Sequence, residues 1–153
     1  MIAVIQRVKK ASVSVDDNMV GACNMGLLIL LGVATDDTEE DANSLARKIV
    51  NLRIFTDEND KLNLSVKDVN GEALVVSNFT LLANYKKGNR PDYLNSARPE
   101  LAEKLYIYFT KLLAAELVRV ETGAFGEHME IEAKCDGPIT ITMDSKVLLN
   151  KKI

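Results

Sequence analysis

The continuous apolar stretch GLLILLGVA, at residues 26–34, limits the folds open to this chain more than any other feature of the sequence. It is far shorter than the roughly 20 residues that a membrane-spanning helix requires. A short apolar run without polar alternation is typical of a strand that is buried on both faces. We therefore expect a β-sheet in which this strand lies in the interior.

The segments around this stretch predict further strands. Before it, MIAVIQRV and ASVSV alternate apolar and polar residues on either side of Lys9 and Lys10, which predicts two strands paired as a hairpin or a bent ribbon. After it, EALVVSNFTLLA at residues 72–83 predicts a central strand. The last third of the chain predicts three strands, with breaks at residues 123–126 and 136–138, where glycine and proline occur.

Two amphipathic helices complete the predicted architecture. The first begins at Asp37 or Thr38, either of which suits a cap, and the second runs from about residue 99 to residue 117 with a proline in its first turn. Roughly seven strands with only two long helices do not alternate as a doubly wound sheet requires. We therefore expect one α+β domain over residues 1–153: a curved, mostly antiparallel sheet or open β-barrel with two long α-helices packed on it.

The composition narrows the classes of function. A formal net charge of −3 argues against a protein that coats nucleic acid indiscriminately, although it leaves room for a local basic patch. One histidine, two cysteines without CxxC spacing, and the lack of a GxxxxGK[ST] or strand-linked GxGxxG motif predict neither a metal nor a cofactor. We interpret both cysteines as small buried hydrophobic residues. Basic residues follow the apolar start, the wrong order for a secretory signal, so we expect a cytoplasmic protein with no membrane partner.

A polar group interrupts the predicted central strand at Ser77, Asn78, Phe79 and Thr80. Strand alternation would send Ser77 and Phe79 to one side and Asn78 and Thr80 to the other. Polar side chains at a buried strand end need partners, which are either a neighbouring loop or a substrate in a pocket. The residues alone leave both interpretations open.

Three further features have a plain interpretation and a functional one. Cys135, Asp136, Gly137 and the residues after them have the composition of an ordinary turn. The loop after the central strand combines lysine and arginine with tyrosine, which suits contact with phosphates and bases, although charged loops are usually just solvated. His128 fits a surface or strand-end residue better than a catalytic base.

Several segments, taken in order, resemble one protein family. They are MIAVIQRVKKASVSV, GLLILLGV, the RIF, DE and KLN groups of residues 53–63, LVVSNFTLLA, KGNRPDY, TGAFG and DGPITITMDS. Their order and spacing are similar to those of D-aminoacyl-tRNA deacylases over essentially the whole chain. A single piece such as GP-T is weak, whereas the ordered set is specific.

The resemblance implies an enzyme of translation quality control. Such an enzyme hydrolyses the ester between a D-amino acid, or glycine mischarged on tRNA-Ala, and the 3′-terminal ribose of tRNA. It is a homodimer that binds the 3′ end of aminoacyl-tRNA, and neither a cofactor nor DNA is expected. The alternatives are an editing domain that removes a wrong L-amino acid from tRNA, and a non-catalytic tRNA-binding relative.

The resemblance also assigns roles to residues. The family's serine-glutamine-x-threonine motif is implied to be catalytic and corresponds to Ser77, Asn78, Phe79 and Thr80. Its glycine-proline-x-threonine motif is implied to bind the substrate's α-amino group inside the partner subunit's pocket, through a cis peptide and backbone carbonyls that reject L-residues. This motif corresponds to Gly137, Pro138, Ile139 and Thr140. The expected tRNA-binding residues are Lys86, Lys87 and Arg90.

This sequence departs from the family pattern at Asn78, where glutamine is usual, at Cys135, where asparagine is common, and in FGEHM, where FGA-x-M is usual. No lysine or histidine adjoins Thr80 in sequence, so its hydroxyl is not favoured as a nucleophile. We expect backbone N–H groups around Phe79 and Thr80 to stabilise the oxyanion, while the ribose 2′-OH positions or activates water.

Overall fold

The computed structural model describes residues 1–151, which are organised around one curved, mixed sheet. Its strands are β1 Ile2–Val15, β2 Asn18–Cys23, β3 Gly26–Gly32, β4 Phe55–Thr56, β5 Leu62–Leu64, β6 Glu72–Ser77, β7 Val120–Thr122 and β8 Glu130–Asp144. Its helices are α1 Glu39–Val50, α2 Pro99–Ala114 and the short α3 Ser145–Leu148, and a 3-10 turn spans Phe79–Leu82. The α+β class with two long helices is confirmed, and α3 is an addition that the sequence did not predict.

The main sheet runs in the order β2-β1-β3-β6-β7, with β8 also paired to β1. Strand β1 is antiparallel to β2, β3 and β8, whereas β6 is parallel to β3 and to β7. Because β8 follows β1 from Ile2 to Ser14, strands β3 and β2 share the other edge of β1. The sheet curls until β2 meets β7, where the Ala22 N–H donates to Glu121 Oε2 at 2.7 Å. The result is the predicted open, mostly antiparallel barrel.

Strand β1 is continuous, so the prediction of two strands separated at Lys9 and Lys10 is wrong. The pairing of β1 with β8 shifts register between Gln6 and Val8 and again between Val8 and Lys10. Irregular pairing of this kind changes which way successive residues face without ending the strand. The interrupted alternation in the sequence therefore marks a bulge.

Strand β8 is also continuous, so the predicted break at residues 136–138 is wrong. Thr140 pairs with Gln6 and Cys135 pairs with Val8, so residues 136–139 lie opposite Arg7 alone. Glycine and proline were interpreted as the end of a strand, whereas a bulge accommodates both within one. Residues 136–139 are called the β8 bulge below.

Both long helices pack on the sheet and bury its interior strands. Ile29 of β3, Leu45 of α1 and Phe109 of α2 are each 0% exposed and belong to one hydrophobic cluster. Six of the seven residues of β3 are buried, which confirms the interior strand predicted from residues 26–34. Of the two predicted caps, Thr38 precedes α1 and its backbone N–H donates to Asp41 Oδ2 at 2.9 Å. Asp37 is instead buried against the α-amino group of Met1.

The two cysteines differ in environment. Cys23 is buried as predicted, and burial raises the pKa of its thiol to about 11. Cys135 is exposed, so the prediction that it is buried is wrong. The reason is its position on β8, where residues 130–135 are all exposed. Within residues 1–151, no helix combines the length and apolar character needed to cross a membrane.

Candidate active site

The predicted polar group lies where β6 ends. The last residue of β6 is Ser77, after which the Asn78 N–H donates to the Leu31 carbonyl at 2.8 Å and the 3-10 turn begins at Phe79. The predicted strand alternation through residue 80 is therefore wrong. Strand β3, the neighbour of β6, ends at Gly32. The backbone beyond Asn78 therefore has no β3 residues to pair with.

Gly32 lets the 3-10 turn approach the sheet closely. A Cβ on this residue would lie 2.5 Å from Leu82 Cδ2 and 3.0 Å from the Asn78 carbonyl oxygen. A side chain at this position would displace the end of the Leu82 side chain and push the Asn78 carbonyl away by a few tenths of an ångström. The turn that follows β6 is therefore packed directly against the bare backbone of β3.

A cleft of about 730 Å³ opens beside the turn. The four residues predicted to be catalytic all line it: Ser77, Asn78, Phe79 and Thr80. The loop before α2 contributes Tyr93 and Ser96, and the segment before β8 contributes residues 125–129. The structure thus brings the four residues together at one opening, and their catalytic role stays a prediction.

Within the cleft, Thr80 and Asn78 bind each other. The Thr80 hydroxyl donates to Asn78 Oδ1 at 2.5 Å. Thr80 is exposed and Asn78 is half-buried, so both side chains remain reachable from solvent. The proton of the Thr80 hydroxyl therefore points at a neutral amide oxygen, which is not a general base.

The chain supports the turn with its own hydrogen bonds. The Ser96 hydroxyl donates to the Phe79 carbonyl at 3.0 Å, and the rings of Phe79 and Tyr93 pack edge to face with centroids 5.1 Å apart. Below the turn, the buried Tyr106 hydroxyl donates to the Val75 carbonyl at 2.8 Å. Burial raises the pKa of Tyr106 to about 12, so this donor stays protonated at neutral pH.

His128 is exposed, as predicted, but it also lines the cleft together with Glu127. Sequence reasoning did not place these two residues near Ser77, because the segment before β8 is far from it along the chain. Among residues 1–151, no group of three or more His, Cys, Asp or Glu side chains is arranged to hold a metal ion.

The β8 bulge is held by one arginine. Arg7 Nε donates to the Asp136 carbonyl at 3.2 Å and lies 3.2 Å from the Asp136 carboxylate, while Nη1 donates to the Ile54 carbonyl at 2.9 Å. The guanidinium carbon also lies 6.0 Å from the centre of the Phe55 ring. Arg7 is only 9% exposed, and sequence reasoning missed it. A buried charge in a strand is a usable signal, since arginine is rarely buried without a partner.

The Gly137–Pro138 peptide is cis, as predicted. Gly137 has a φ of 134°, and a Cβ there would lie 2.6 Å from the Ile139 nitrogen. A side chain at this position would therefore collide with the backbone of its own chain. Within the described part of the chain, residues 137–140 do not line their own cleft.

The basic loop begins soon after the 3-10 turn. Asn84 and Asp92 close it with a β-bridge and a hydrogen bond from Asn84 Nδ2 to Asp92 Oδ2 at 2.9 Å. The three cations predicted to bind tRNA are exposed and, among residues 1–151, form no ion pair: Lys86, Lys87 and Arg90.

Comparisons with known proteins identify a family for this chain. A family model described as D-Tyr-tRNA(Tyr) deacylase matches residues 4–144. A D-aminoacyl-tRNA deacylase from Caldicellulosiruptor saccharolyticus is 59% identical over 146 residues, which cover 95% of this chain and 98% of the relative. The corresponding protein of Clostridioides difficile is 53% identical over 145 residues, covering 95% of this chain and 97% of the relative.

Two solved structures share the fold. A c-Myc DNA unwinding element binding protein superposes with a TM-score of 0.89 at 39% identity, and a probable eukaryotic D-amino acid tRNA deacylase superposes with 0.81 at 16% identity. Each covers 94% of this chain and 98% of its own, and the second likeness is one of fold alone. The family model and the named relatives place the chain in the class of hydrolases that act on aminoacyl-tRNA. Within that class, the chain belongs to the D-Tyr-tRNA(Tyr) deacylase family, which confirms the resemblance seen in the sequence.

Proposed function

We propose that the protein hydrolyses the ester that joins a D-amino acid to the 3′-terminal ribose of tRNA, releasing the free amino acid and tRNA. The observation that carries this proposal is the family match over residues 4–144, supported by relatives named D-aminoacyl-tRNA deacylase. The reaction removes D-amino acids before the ribosome can use them, and it therefore belongs in the cytoplasm. The resemblance extends the substrates to glycine mischarged on tRNA-Ala.

Backbone N–H groups are the proposed catalysts. Phe79 and Thr80 open the 3-10 turn at the cleft, and the first N–H groups of a helical turn have no partner inside it. They suit an ester carbonyl oxygen that becomes negative when water attacks. One donor of this kind contributes about 10²–10³ in kcat in other enzymes.

The Thr80 hydroxyl is proposed to orient substrate and not to attack it. The hydroxyl donates its hydrogen bond to the amide oxygen of Asn78, and an amide oxygen does not accept a proton at neutral pH. In this mechanism the attacking water is positioned by the 2′-OH of the terminal ribose, next to the scissile ester. Because the aminoacyl ester is already activated, a site without a side-chain base is sufficient.

The β8 bulge is proposed to act in the cleft of a second copy of the chain, in a homodimer. Residues 137–140 do not line the cleft of their own chain, so they need a partner in order to reach substrate. Strand β8 is an exposed strand, and in the described chain it pairs with β1 alone. Unpaired strand edges are surfaces where a second chain can bind. In the dimer, Gly137 and Pro138 would test chirality at the α-carbon, with Ile139 and Thr140 beside them.

The basic loop is proposed to hold the tRNA backbone. Lys86, Lys87 and Arg90 are exposed beside the cleft-lining turn, and their charges suit phosphates near the 3′ end. Replacing any one of these cations with alanine should make tRNA binding less sensitive to salt, because fewer counterions are released.

The test is a set of deacylation time courses on D-Tyr-tRNA, L-Tyr-tRNA and glycine-charged tRNA-Ala with the purified protein. Rapid loss of the D-ester with the L-ester spared is expected. A matched D-Tyr-tRNA with a 2′-deoxy terminal ribose should scarcely react, because it lacks the group that positions water.

Other outcomes identify the alternatives. Cleavage of an L-ester in preference to the D-ester would indicate an editing domain for wrong L-amino acids. Binding of tRNA without cleavage of any ester would indicate a non-catalytic relative. A monomer in sedimentation analysis that still spares the L-ester would contradict the role given to a second copy.

A further inference from the structure

The α-amino group of Met1 is buried in an ion pair. It donates to Asp37 Oδ1 at 2.6 Å and to Ser145 Oγ at 2.8 Å. The side chains of Met1 and Asp37 are 0% and 1% exposed. Separating a buried pair by removing one charge is strongly destabilising, because the remaining charge is left without a partner or water.

The groups around this amine form a connected set, called the Met1 cluster below: the Met1 amine, Asp37, Asp41, Ser145 and Lys151. Asp37 Oδ2 accepts from the Ala34 N–H at 2.6 Å, and the Ser145 hydroxyl donates to Asp41 Oδ1 at 2.7 Å. Lys151 Nζ lies 3.0 Å from Asp41 Oδ2. Among residues 1–151, both hydrogen bonds of the amine go to acceptors, so the site suits a donor of several hydrogens that carries a positive charge.

We propose that the Met1 amine is a modification-sensitive site: a chain that begins at this methionine reaches its stable fold only when the amine carries no acyl group. For a chain that starts with N-formylmethionine, a hydrolytic deformylation must therefore come before folding is complete. In that step water adds its oxygen to the formyl carbon, the C–N bond breaks, and formate leaves. The nitrogen takes up protons and becomes the ammonium group that Asp37 binds.

Acylation removes what the cluster requires. An amide nitrogen is neutral and carries one hydrogen, whereas Asp37 and Ser145 each accept a hydrogen from the amine. The Asp37 carboxylate would keep its hydrogen bond from Ala34 but would lose the ammonium group that pairs with it. The added carbonyl oxygen would also bring a further acceptor next to Asp37 and Ser145, which both accept from the amine.

The Met1 cluster is connected to the cleft through a short path. Asp37 binds the Ala34 N–H, Ala34 forms a β-bridge with Ser96, and the Ser96 hydroxyl donates to the Phe79 carbonyl at the turn. Three contacts therefore separate Asp37 from the wall of the cleft, and a change in the position of Asp37 can alter that wall. We expect acylation to lower deacylation activity as well as stability.

The experiment compares free-amine and N-formylated forms of the same full chain, produced without and with a deformylase inhibitor and distinguished by mass spectrometry. Urea unfolding and D-Tyr-tRNA deacylation are measured for both forms. We expect formylation to shift the unfolding equilibrium by about a hundredfold or more towards the unfolded chain. Equal stability of the two forms would overturn the proposal.

Asparagine variants show whether formylation acts through the lost charge of the amine or through the size of the added group. In Asp37→Asn the counter-charge is gone, so formylation should cost much less stability than in the unaltered chain. The matched control is Asp36→Asn, an exposed neighbour bound to Lys146, which should leave the effect of formylation unchanged. If the formylated chain is insoluble, recovery of soluble formylated Asp37→Asn supports the proposal. Insolubility of both formylated proteins, or an equal loss of stability in both, overturns it.

Discussion

The cleft and the Met1 cluster both contain polar groups at the ends of β-strands, but these groups differ in burial and in hydrogen bonding. The Met1 cluster contains charged groups, and the carboxylates of Asp37 and Asp41 are almost wholly buried and fully hydrogen-bonded. At the cleft, Asn78 and Thr80 are neutral, open to solvent, and share one hydrogen bond.

The difference shows which polar groups stabilise the fold and which remain available to substrate. A buried charge without partners is costly, so a cluster inside the protein must satisfy every atom. A group that will bind substrate needs unused hydrogen-bonding capacity and access from solvent. Variants in the Met1 cluster should therefore change stability, and should change activity only through Asp37, whose contacts lead to the wall of the cleft. Variants in the cleft should change activity.

Arg7 is the strongest test of this comparison, because it is a buried charge that holds the β8 bulge. In Arg7→Ala the bulge no longer has the hydrogen bond and the ion pair with Nε, and it is free to move. We expect deacylation of D-Tyr-tRNA to fall about a hundredfold, the scale of effect of a displacement near 1 Å. Single-turnover kinetics on the folded variant measure it.

Lys9→Ala is the matched control for Arg7, since it removes an exposed cation from the same strand. It should keep near-normal kinetics. An Arg7→Ala protein that deacylates as fast as the Lys9→Ala protein would show that the bulge needs no such support.

The next largest effect is expected at Asp41, on stability alone. Burial by itself would raise the pKa of this carboxyl, but hydrogen bonds from Ser145, Thr38 and Lys151 outweigh it and lower the pKa from 3.8 to about 2. A lowered pKa in the folded state stabilises the protein above the unfolded pKa, and this contribution disappears as pH falls from about 4 to 2. Asp41→Asn should lose about 2 kcal/mol of unfolding free energy at pH 6.

The pH series provides its own check on Asp41. The difference between Asp41→Asn and the unaltered protein in urea unfolding should shrink as the pH approaches 2, with kcat similar in both at neutral pH. A difference that is constant with pH would mean that packing, and not charge, explains the loss of stability.

A smaller effect is expected at Tyr106, which is buried below the cleft. Tyr106→Phe removes the hydrogen bond to the Val75 carbonyl, but this carbonyl keeps the Gly123 N–H as a partner at 3.0 Å. We expect a decrease of about 1 kcal/mol in unfolding free energy. Activity per folded molecule should be retained, and a large fall in kcat would mean that the hydroxyl also fixes the position of β6.

The last effect, of about the same size as that at Tyr106 or smaller, is expected at Thr80, in the cleft. Thr80→Ala should lower kcat by less than about tenfold, equivalent to roughly 1.4 kcal/mol of transition-state stabilisation, with no change in the unfolding midpoint. Thr80→Ser, which keeps the hydroxyl, is the control. If folded Thr80→Ala protein lost all activity while Thr80→Ser kept it, the Thr80 hydroxyl would be the nucleophile and the proposed mechanism would be wrong.

Local patterns predicted much of the fold. The apolar run became β3 because a short continuous apolar segment is typical of a strand buried on both faces of a sheet. The acidic start and helical spacing located α1, and Thr38 caps it as one of the two predicted residues. Such features depend on neighbours along the chain, which the sequence displays directly.

Contacts between distant segments were not predictable in the same way. The continuity of β1 and β8 depends on their pairing with each other, which absorbs the irregular residues of both. The turn after Ser77 depends on where β3 ends, and the role of Arg7 depends on partners 47 and 129 positions away. Ser77 to Thr80 were identified as a group because polar residues interrupt an apolar run, but their geometry was not.

Pairing of the first strand with the last has a consequence for folding during synthesis. Ile2 pairs with Asp144, so β1 cannot form its longest pairing, with β8, until almost the whole chain has been synthesised. Pairings between such distant residues form slowly, and unpaired edges are prone to aggregation in the meantime. The same delay leaves the Met1 amine without its Ser145 partner until the end of the chain has been made.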